Sequence, residues 1–166
     1  YAVSVGSPSA WNAGNNTIDA TANSTLYLRF STPGSYDLTV NTLTNVDQIV
    51  SDSVNQTFKI DNTIASAIPT FNTNSGRNNV LTTSDATLDL THTTISGYTI
   101  TSTNATGTTF TVNNAATALL IAGGSGADTI VASGFNLTQS QIDQIFATQS
   151  IEVLQDSTHT YTTPYP

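Results

Sequence analysis

Apolar and polar residues alternate over short stretches along most of the chain. This period of two predicts strands that are buried on one face. Clear examples lie at 26–30, 36–40 and 57–60, and asparagine, glycine, serine or proline residues separate them. The pair Pro33-Gly34 predicts a tight turn between the first two of these strands. The pattern therefore predicts an all-β fold.

The first part of the chain is expected to be a separate domain. About seven short strands are predicted within residues 1–63, which is typical of a small Ig-like β-sandwich. The polar stretch 64–79, which contains Pro69, is predicted to be a linker. Residues 80–166 then form the second part.

In this second part the apolar strand centres recur about every ten residues, at Leu90, Ile100, Phe110, Leu120 and Ile130. A short regular period favours a Thr-rich parallel β-solenoid or β-roll, in which each turn of the chain is buried against its neighbours. An antiparallel meander, which places strands about 8–12 residues apart, is the alternative.

One clear helix is predicted near the end, at 139–147. Thr138 and Gln141 have the spacing of a capping box. Three apolar residues follow at helical spacing: Ile142, Ile145 and Phe146. Because a solenoid must cover the apolar face of its last turn, we expect this helix to be the cap, with a strand at 151–154 after it.

Charge excludes one class of function. The chain has 11 acidic residues, a net charge of -8 and only three Lys or Arg residues, Arg29, Lys59 and Arg77. Nucleic-acid binding requires a basic face, and three cations cannot build one. Without cysteine there is neither a disulfide nor a thiolate site. No apolar run reaches the ~18 residues of a membrane span. The abundance of threonine and the scarcity of lysine favour an extracellular bacterial protein.

Residues 123–131, GGSGADTIV, match the calcium-binding nonapeptide G-G-x-G-x-D-x-U-x at every fixed position. Glycines allow a turn whose carbonyl groups face a hard cation, and Asp128 adds a charged oxygen. The motif resembles the repeats-in-toxin (RTX) family of secreted bacterial proteins, which includes S-layer proteins and adhesins. The likeness covers about a third of the chain well, as far as Tyr161. It implies a calcium site at Gly124, Gly126 and Asp128.

A structural interpretation of the same motif stays open. In the RTX family each calcium lies between the turns of successive repeats, and one repeat supplies half of the ligands. The preceding stretch, 114–122, has neither the glycines nor the aspartate. The glycines are then only a tight turn within a degenerate β-roll.

Other residues could carry chemistry but lack a specific pattern. Asp85 and Asp89 share one face of a strand and could form an acid–base pair, although aspartates at strand ends usually stabilise turns. Asp47 and Asp52 bracket another strand. The two histidines are distant in sequence and have no metal-binding spacing. We therefore expect no enzymatic activity.

Two further sites are conceivable. The stretch 61–63, Asp-Asn-Thr, resembles the junction after bacterial Ig-like domains, and Asp37 or Asp19 could help Asp61 to bind calcium there. Trp11 could form a sugar-stacking platform with three tyrosines, Tyr1, Tyr27 and Tyr36, although Tyr36 is better suited to the core.

The sequence thus predicts a non-catalytic structural domain of a secreted cell-surface protein, which calcium stabilises. Its partners would be other copies of itself, neighbouring domains of the surface protein or a cell-surface glycan. A carbohydrate-binding accessory module of a secreted enzyme is the alternative.

Overall fold

The computed structural model describes residues 1–14, 16–20, 25–74 and 76–163. Within these ranges the chain is mostly β-structure, as the alternation predicts. The strands are β1 (Ala2–Val5), β2 (Thr17–Asp19), β3 (Tyr27–Phe30), β4 (Gly34–Asp37), β5 (Thr42–Thr44), β6 (Gln48–Ser51), β7 (Gln56–Lys59), β8 (Thr70–Thr73), β9 (Asn79–Thr83), β10 (Thr87–Asp89), β11 (Thr94–Ser96), β12 (Tyr98–Ser102), β13 (Thr109–Val112), β14 (Ile121–Gly123), β15 (Thr129–Ala132), β16 (Val153–Gln155) and β17 (Thr160–Thr162). The helices are α1 (Pro8–Asn12), α2 (Asn62–Ala67), α3 (Ala115–Ala118) and α4 (Gln139–Thr148).

The chain divides into two compact units. The first contains Tyr1–Thr82 and His92–Thr99, and the second contains Thr83–Thr91 and Ile100–Pro166.

The first unit consists of parallel strands. One sheet has the order β1-β3-β6-β8-β11, a second contains β4, β7 and β9, and β2 pairs with β5. In the first sheet Ala2 pairs with Tyr27 and Tyr27 with Gln48, which are steps of 25 and 21 residues. The successive pairs β3 and β4, β6 and β7, and β8 and β9 each add one strand to the first sheet and one to the second.

The second unit has a similar arrangement. Its main sheet has the order β10-β13-β15-β16-β17, in which the last pair is antiparallel and the others are parallel. Phe110 pairs with Ile130 in this sheet, whereas Ile100 pairs with Ile121 between β12 and β14. Of the predicted strand centres, Phe110 and Ile130 lie in the main sheet and Ile100 lies in β12, whereas Leu90 and Leu120 lie just outside β10 and β14. The ten-residue spacing therefore corresponds to about half of the 20-residue turn.

The first 63 residues differ from the prediction. An Ig-like sandwich is built from antiparallel pairs, whereas the strand pairs described here within residues 1–63 are parallel. The Pro33-Gly34 turn accordingly joins strands of two different sheets and is not a hairpin. The predicted linker at 64–79 contains most of α2 and all of β8, a strand that pairs with β6 and β11. This stretch therefore contributes a strand to the first sheet.

Register aligns apolar side chains in columns. In the first unit the buried residues Leu28, Ile49 and Phe71 are consecutive partners along one sheet. Beside them, the ring of Phe30 lies 4.7 Å from that of Tyr36 and 4.9 Å from that of Phe58, centroid to centroid. The second unit has an equivalent column in its main sheet, formed by Leu88, Phe110, Ile130 and Leu154. These columns form the core of each unit.

Helix α4 begins as the sequence predicts. Thr138 and Gln141 form the complete capping box, and both Ile142 and Ile145 are buried. Phe146 is half-buried. The predicted strand at 151–154 is observed as β16, two residues later. Four short helices are described where one was expected, and none of them is long and apolar enough to cross a membrane.

Candidate functional site

The glycine-rich turn joins β14 to β15 in the second unit. A Cβ atom added to Gly124 would lie 2.3 Å from the carbonyl oxygen of Ser102, and one added to Gly126 would lie 2.1 Å from the nitrogen of Gly107. No side chain fits at either distance. Glycine is therefore required at both positions because backbone packs directly against backbone.

Asp128 links this turn to its neighbours. The residue is fully buried, and its Oδ1 accepts a hydrogen bond from the N–H of Thr108 at 2.7 Å. Its own N–H donates to Oε2 of Glu152, also at 2.7 Å. The other carboxylate oxygen, Oδ2, has no hydrogen-bond partner of normal geometry among the described residues. Asp128 thus bridges three successive turns, and its buried Oδ2 makes no hydrogen bond of normal geometry.

The surroundings of Asp128 affect its ionisation. Burial raises the pKa of the Asp128 carboxyl and the negative charge of Glu152 raises it further, whereas the N–H groups of Thr108 and Gly124 act in the opposite direction. A cation beside Oδ2 would supply the missing partner and compensate both carboxylates. Calcium suits such oxygen ligands.

The described side chains cannot complete a metal site alone. Nowhere in the described ranges do three or more His, Cys, Asp or Glu side chains gather closely enough to hold an ion. Calcium at Asp128 would therefore need further oxygen ligands from backbone carbonyls or water. The residues present fit one part of the coordination shell that the RTX resemblance implies.

Most carboxylates in the structure have a structural role. All 11 acidic residues lie within the described ranges, and ten of them accept a hydrogen bond from another residue. These ten are Asp19, Asp37, Asp47, Asp52, Asp61, Asp89, Asp128, Asp143, Glu152 and Asp156. Of the suggested acid–base pair, Asp89 bonds to the N–H and hydroxyl of Thr91 at the end of β10, as a turn-stabilising aspartate does. Asp85 lies in the turn before β10.

The suggested calcium site at 61–63 has no assembled ligands. Asp61 is the N-cap of α2 and accepts the N–H of Ile64 at 2.8 Å. Asp37 bonds to Thr39 and to the ammonium group of Lys59, while Asp19 bonds to Asn45. Each carboxylate therefore has its own local partner.

The histidines lie in turns of the chain. His92 is between β10 and β11. His159 precedes β17, donates its backbone N–H to Asp156 and shares a hydrogen bond with the hydroxyl of Thr158 at 2.7 Å. Neither belongs to a metal-binding group of described residues.

The aromatic platform is not assembled. Trp11 is buried, packs edge-on against Phe30 at 5.2 Å, and donates its indole N–H to the carbonyl of Asp37. Tyr36 is also in the core, as expected, and its hydroxyl donates to the carbonyl of Thr32. Only Tyr1 and Tyr27 of the four aromatic residues are exposed.

The first unit contains a buried polar network that was not predicted from the sequence. Nδ2 of Asn79 donates to Ser51 and Thr73 at 2.5 and 2.9 Å, and its Oδ1 accepts the N–H of Gln56 at 2.8 Å. The amide group of Gln56 in turn donates to the carbonyl of Phe30. Gln56 and Asn79 stand at inward positions of alternating strands, where a buried residue would normally be apolar. That break in the pattern is the signal that could have revealed the network.

The three cations are also engaged. Arg29 pairs with Asp52 at 2.8 Å and Lys59 with Asp37 at 3.3 Å. Arg77 donates to the carbonyl of Ser51. None of them contributes to a basic face.

No family model, curated protein or solved structure matches this chain. The resemblance to RTX proteins therefore depends on the residues of the chain itself.

Proposed function

We propose that the chain is a non-catalytic structural segment of a secreted bacterial cell-surface protein, of the S-layer or adhesin type, with a parallel β-solenoid fold. The observation that supports this most is the use of its carboxylates. Ten of the 11 acidic side chains are held in hydrogen bonds to turns, neighbouring strands or other side chains. General acid–base chemistry needs side chains that face a substrate, and these ten bond to other groups of the chain instead.

Calcium is the ligand that we propose for the glycine-rich turn. Gly124 and Gly126 bring neighbouring turns into backbone contact, and Asp128 adds the buried Oδ2, which has no hydrogen bond of normal geometry. In this proposal calcium binds only the folded chain, stabilises the stacking of the second unit and takes no part in a reaction.

The carbohydrate-binding alternative is less well supported. A stacking platform needs exposed aromatic faces, whereas the side chains of Trp11 and Tyr36 are buried in the core.

Two experiments test the proposed function. The first incubates the purified chain with panels of glycans, esters and peptides, beside the Asp85→Asn/Asp89→Asn variant as a control. We expect no turnover from either protein. Turnover that the double substitution abolishes would contradict the proposal.

The second experiment tests location. Antibodies raised against the chain are applied to intact and permeabilised cells of the source organism. Labelling of intact cells is expected, and labelling only after permeabilisation would contradict a surface role.

A further inference from the structure

In the first unit the outer edge of β1 has no paired strand among the described residues, whereas the outer edge of β4 is covered. Helix α1 covers β4: the side chain of Asn12 donates to the carbonyl of Ser35 and accepts the N–H of Asp37, both at 2.8 Å. These are backbone groups that a neighbouring strand would otherwise bond. Strand β1 pairs with β3 on one side, and no described residue pairs with its other side. An open edge of this kind is a template for another strand.

Apolar surface accompanies this edge. Tyr1 and Val3 are 62% and 38% exposed, and both are among the five large apolar side chains that are exposed in the described part of the chain. Val3 pairs with the buried Leu28, so its side chain belongs to the core face of the sheet. A cavity of about 450 Å³ adjoins β1, with Val3, Val5, Ala10, Trp11 and Ile18 among its lining residues. The core is thus incomplete at β1.

Charge indicates what can cover the edge. The chain carries a net charge of -8, yet residues 1–18 contain no Asp, Glu, Lys or Arg. Two copies that approach through this stretch therefore avoid the repulsion between their acidic surfaces. Edge strands that must stay unpaired usually carry a charged side chain, most often lysine, or a proline. Strand β1 has neither.

We propose that the edge of β1 binds the same edge of a second copy, antiparallel about a two-fold axis at Val3. A two-fold axis makes the contact isologous, so each Val3 lies opposite its equivalent. The core faces of the two sheets then join, and Tyr1 of each copy lies opposite Val5 of the other, beside the cavity. This inference rests on the proposed structural function and names the surface through which copies associate.

Sedimentation and light scattering over a range of concentrations test the association. The chain is expected to form a dimer, and Val3→Lys is expected to raise the dimer dissociation constant by roughly tenfold or more, because it places a charge in the apolar contact. Val54→Lys is the matched control, since Val54 is a valine of similar exposure, 48%, outside β1. A chain that stays monomeric, or equal effects of both substitutions, would overturn the inference.

Cross-linking tests the register. Because the chain has no cysteine, Val3→Cys introduces a single thiol. Opposed residues of antiparallel strands lie within disulfide reach, so this variant should form a covalent dimer on mild oxidation. Ser4→Cys, one residue away from the axis, should cross-link much less, and equal or reversed yields would overturn the pairing. The dimer and the proposed function can fail separately. A chain that stays monomeric and shows no turnover would contradict the dimer but not the non-catalytic function. Turnover would contradict the non-catalytic function but not the dimer.

Discussion

The carboxylate of Asp128 accepts the N–H of Thr108 at 2.7 Å, although twenty residues separate them. The two residues belong to successive turns of the chain, and each lies immediately before one of the paired strands β13 and β15. The bond therefore fixes one turn on the next at the point where the glycine-rich stretch enters β15.

Asp128 should make stability depend on pH. Burial raises its pKa in the folded protein above the ordinary value of 3.8, so the folded protein binds this proton more tightly than the unfolded chain does. The stability that the proton contributes is full below the ordinary value and is lost as the pH rises through the folded-state pKa. Asp128→Asn retains an acceptor for Thr108 and cannot ionise. In calcium-free buffer we expect its stability relative to wild type to increase as the pH rises from about 4 through the raised folded-state pKa of Asp128.

Urea unfolding of both proteins at several pH values measures this difference. Burial raises the pKa values of Asp37 and Asp156, but hydrogen bonds lower them by more. Their contributions to the pH dependence are the same in both proteins and cancel in the comparison. A stability difference that stays constant with pH would contradict the prediction.

Calcium should raise the thermal unfolding midpoint of the wild type, because a ligand that binds only the folded state stabilises it. Chelation should reverse the rise, and Asp128→Asn should show no response. Asp143→Asn serves as the control, since Asp143 is an exposed residue of α4 that bonds to Gln139. Differential scanning calorimetry with calcium and with excess chelator gives the midpoints. Equal wild-type midpoints under both conditions would exclude the calcium site.

Gly124→Ala should destabilise the protein by about 1–3 kcal/mol or more, because the new Cβ would collide with the carbonyl oxygen of Ser102. Gly6→Ala is the control: nothing lies within 4 Å of its added Cβ, and neither glycine has a positive φ. Urea unfolding compares the two variants. A Gly124→Ala protein as stable as Gly6→Ala would show that the turns can separate freely.

For substitutions in α4, the loss in the free energy of unfolding should increase with the burial of the side chain that is removed. Ile145→Ala removes a fully buried side chain and is expected to cost about 2–5 kcal/mol. Thr138→Ala removes only the capping hydroxyl and should cost about 1 kcal/mol. Phe146 is half-buried, so Phe146→Ala should cost less than the about 3–5 kcal/mol typical of a fully buried phenylalanine. Chemical unfolding gives the order, and an Ile145→Ala variant as mild as Thr138→Ala would show that α4 packs loosely.

The sequence predicts local features of this fold well. Alternation identifies the strands, since it depends on which side chains face the core. The capping box at Thr138 and Gln141 is equally local, because all of its atoms lie within one helical turn. The inward position of Ile130 follows from the same alternation.

Pairing could not be predicted in the same way. Alternation is identical in parallel and antiparallel strands, so residues 27–30 carry no sign that their partners lie 21 residues later. The hydrogen bonds of Asp128 depend on Thr108 and Glu152, which come from two other turns. The sequence alone does not decide between a stacking surface and the core for Trp11, because its burial depends on the distant residues Phe30 and Asp37.

Unequal turns have a consequence for how such a chain can change in evolution. Successive partners are 25 residues apart between Ala2 and Tyr27 but 20 apart between Thr109 and Thr129, and both ladders remain in register. Extra residues are accommodated between strands: α1 lies within the 25-residue turn, and α4 lies within the 24-residue turn from Thr129 to Val153. Insertions and deletions at these corners can therefore accumulate with little penalty, whereas a single inserted residue within a strand would turn its core side chains outward. Related chains should differ in length mainly at the corners.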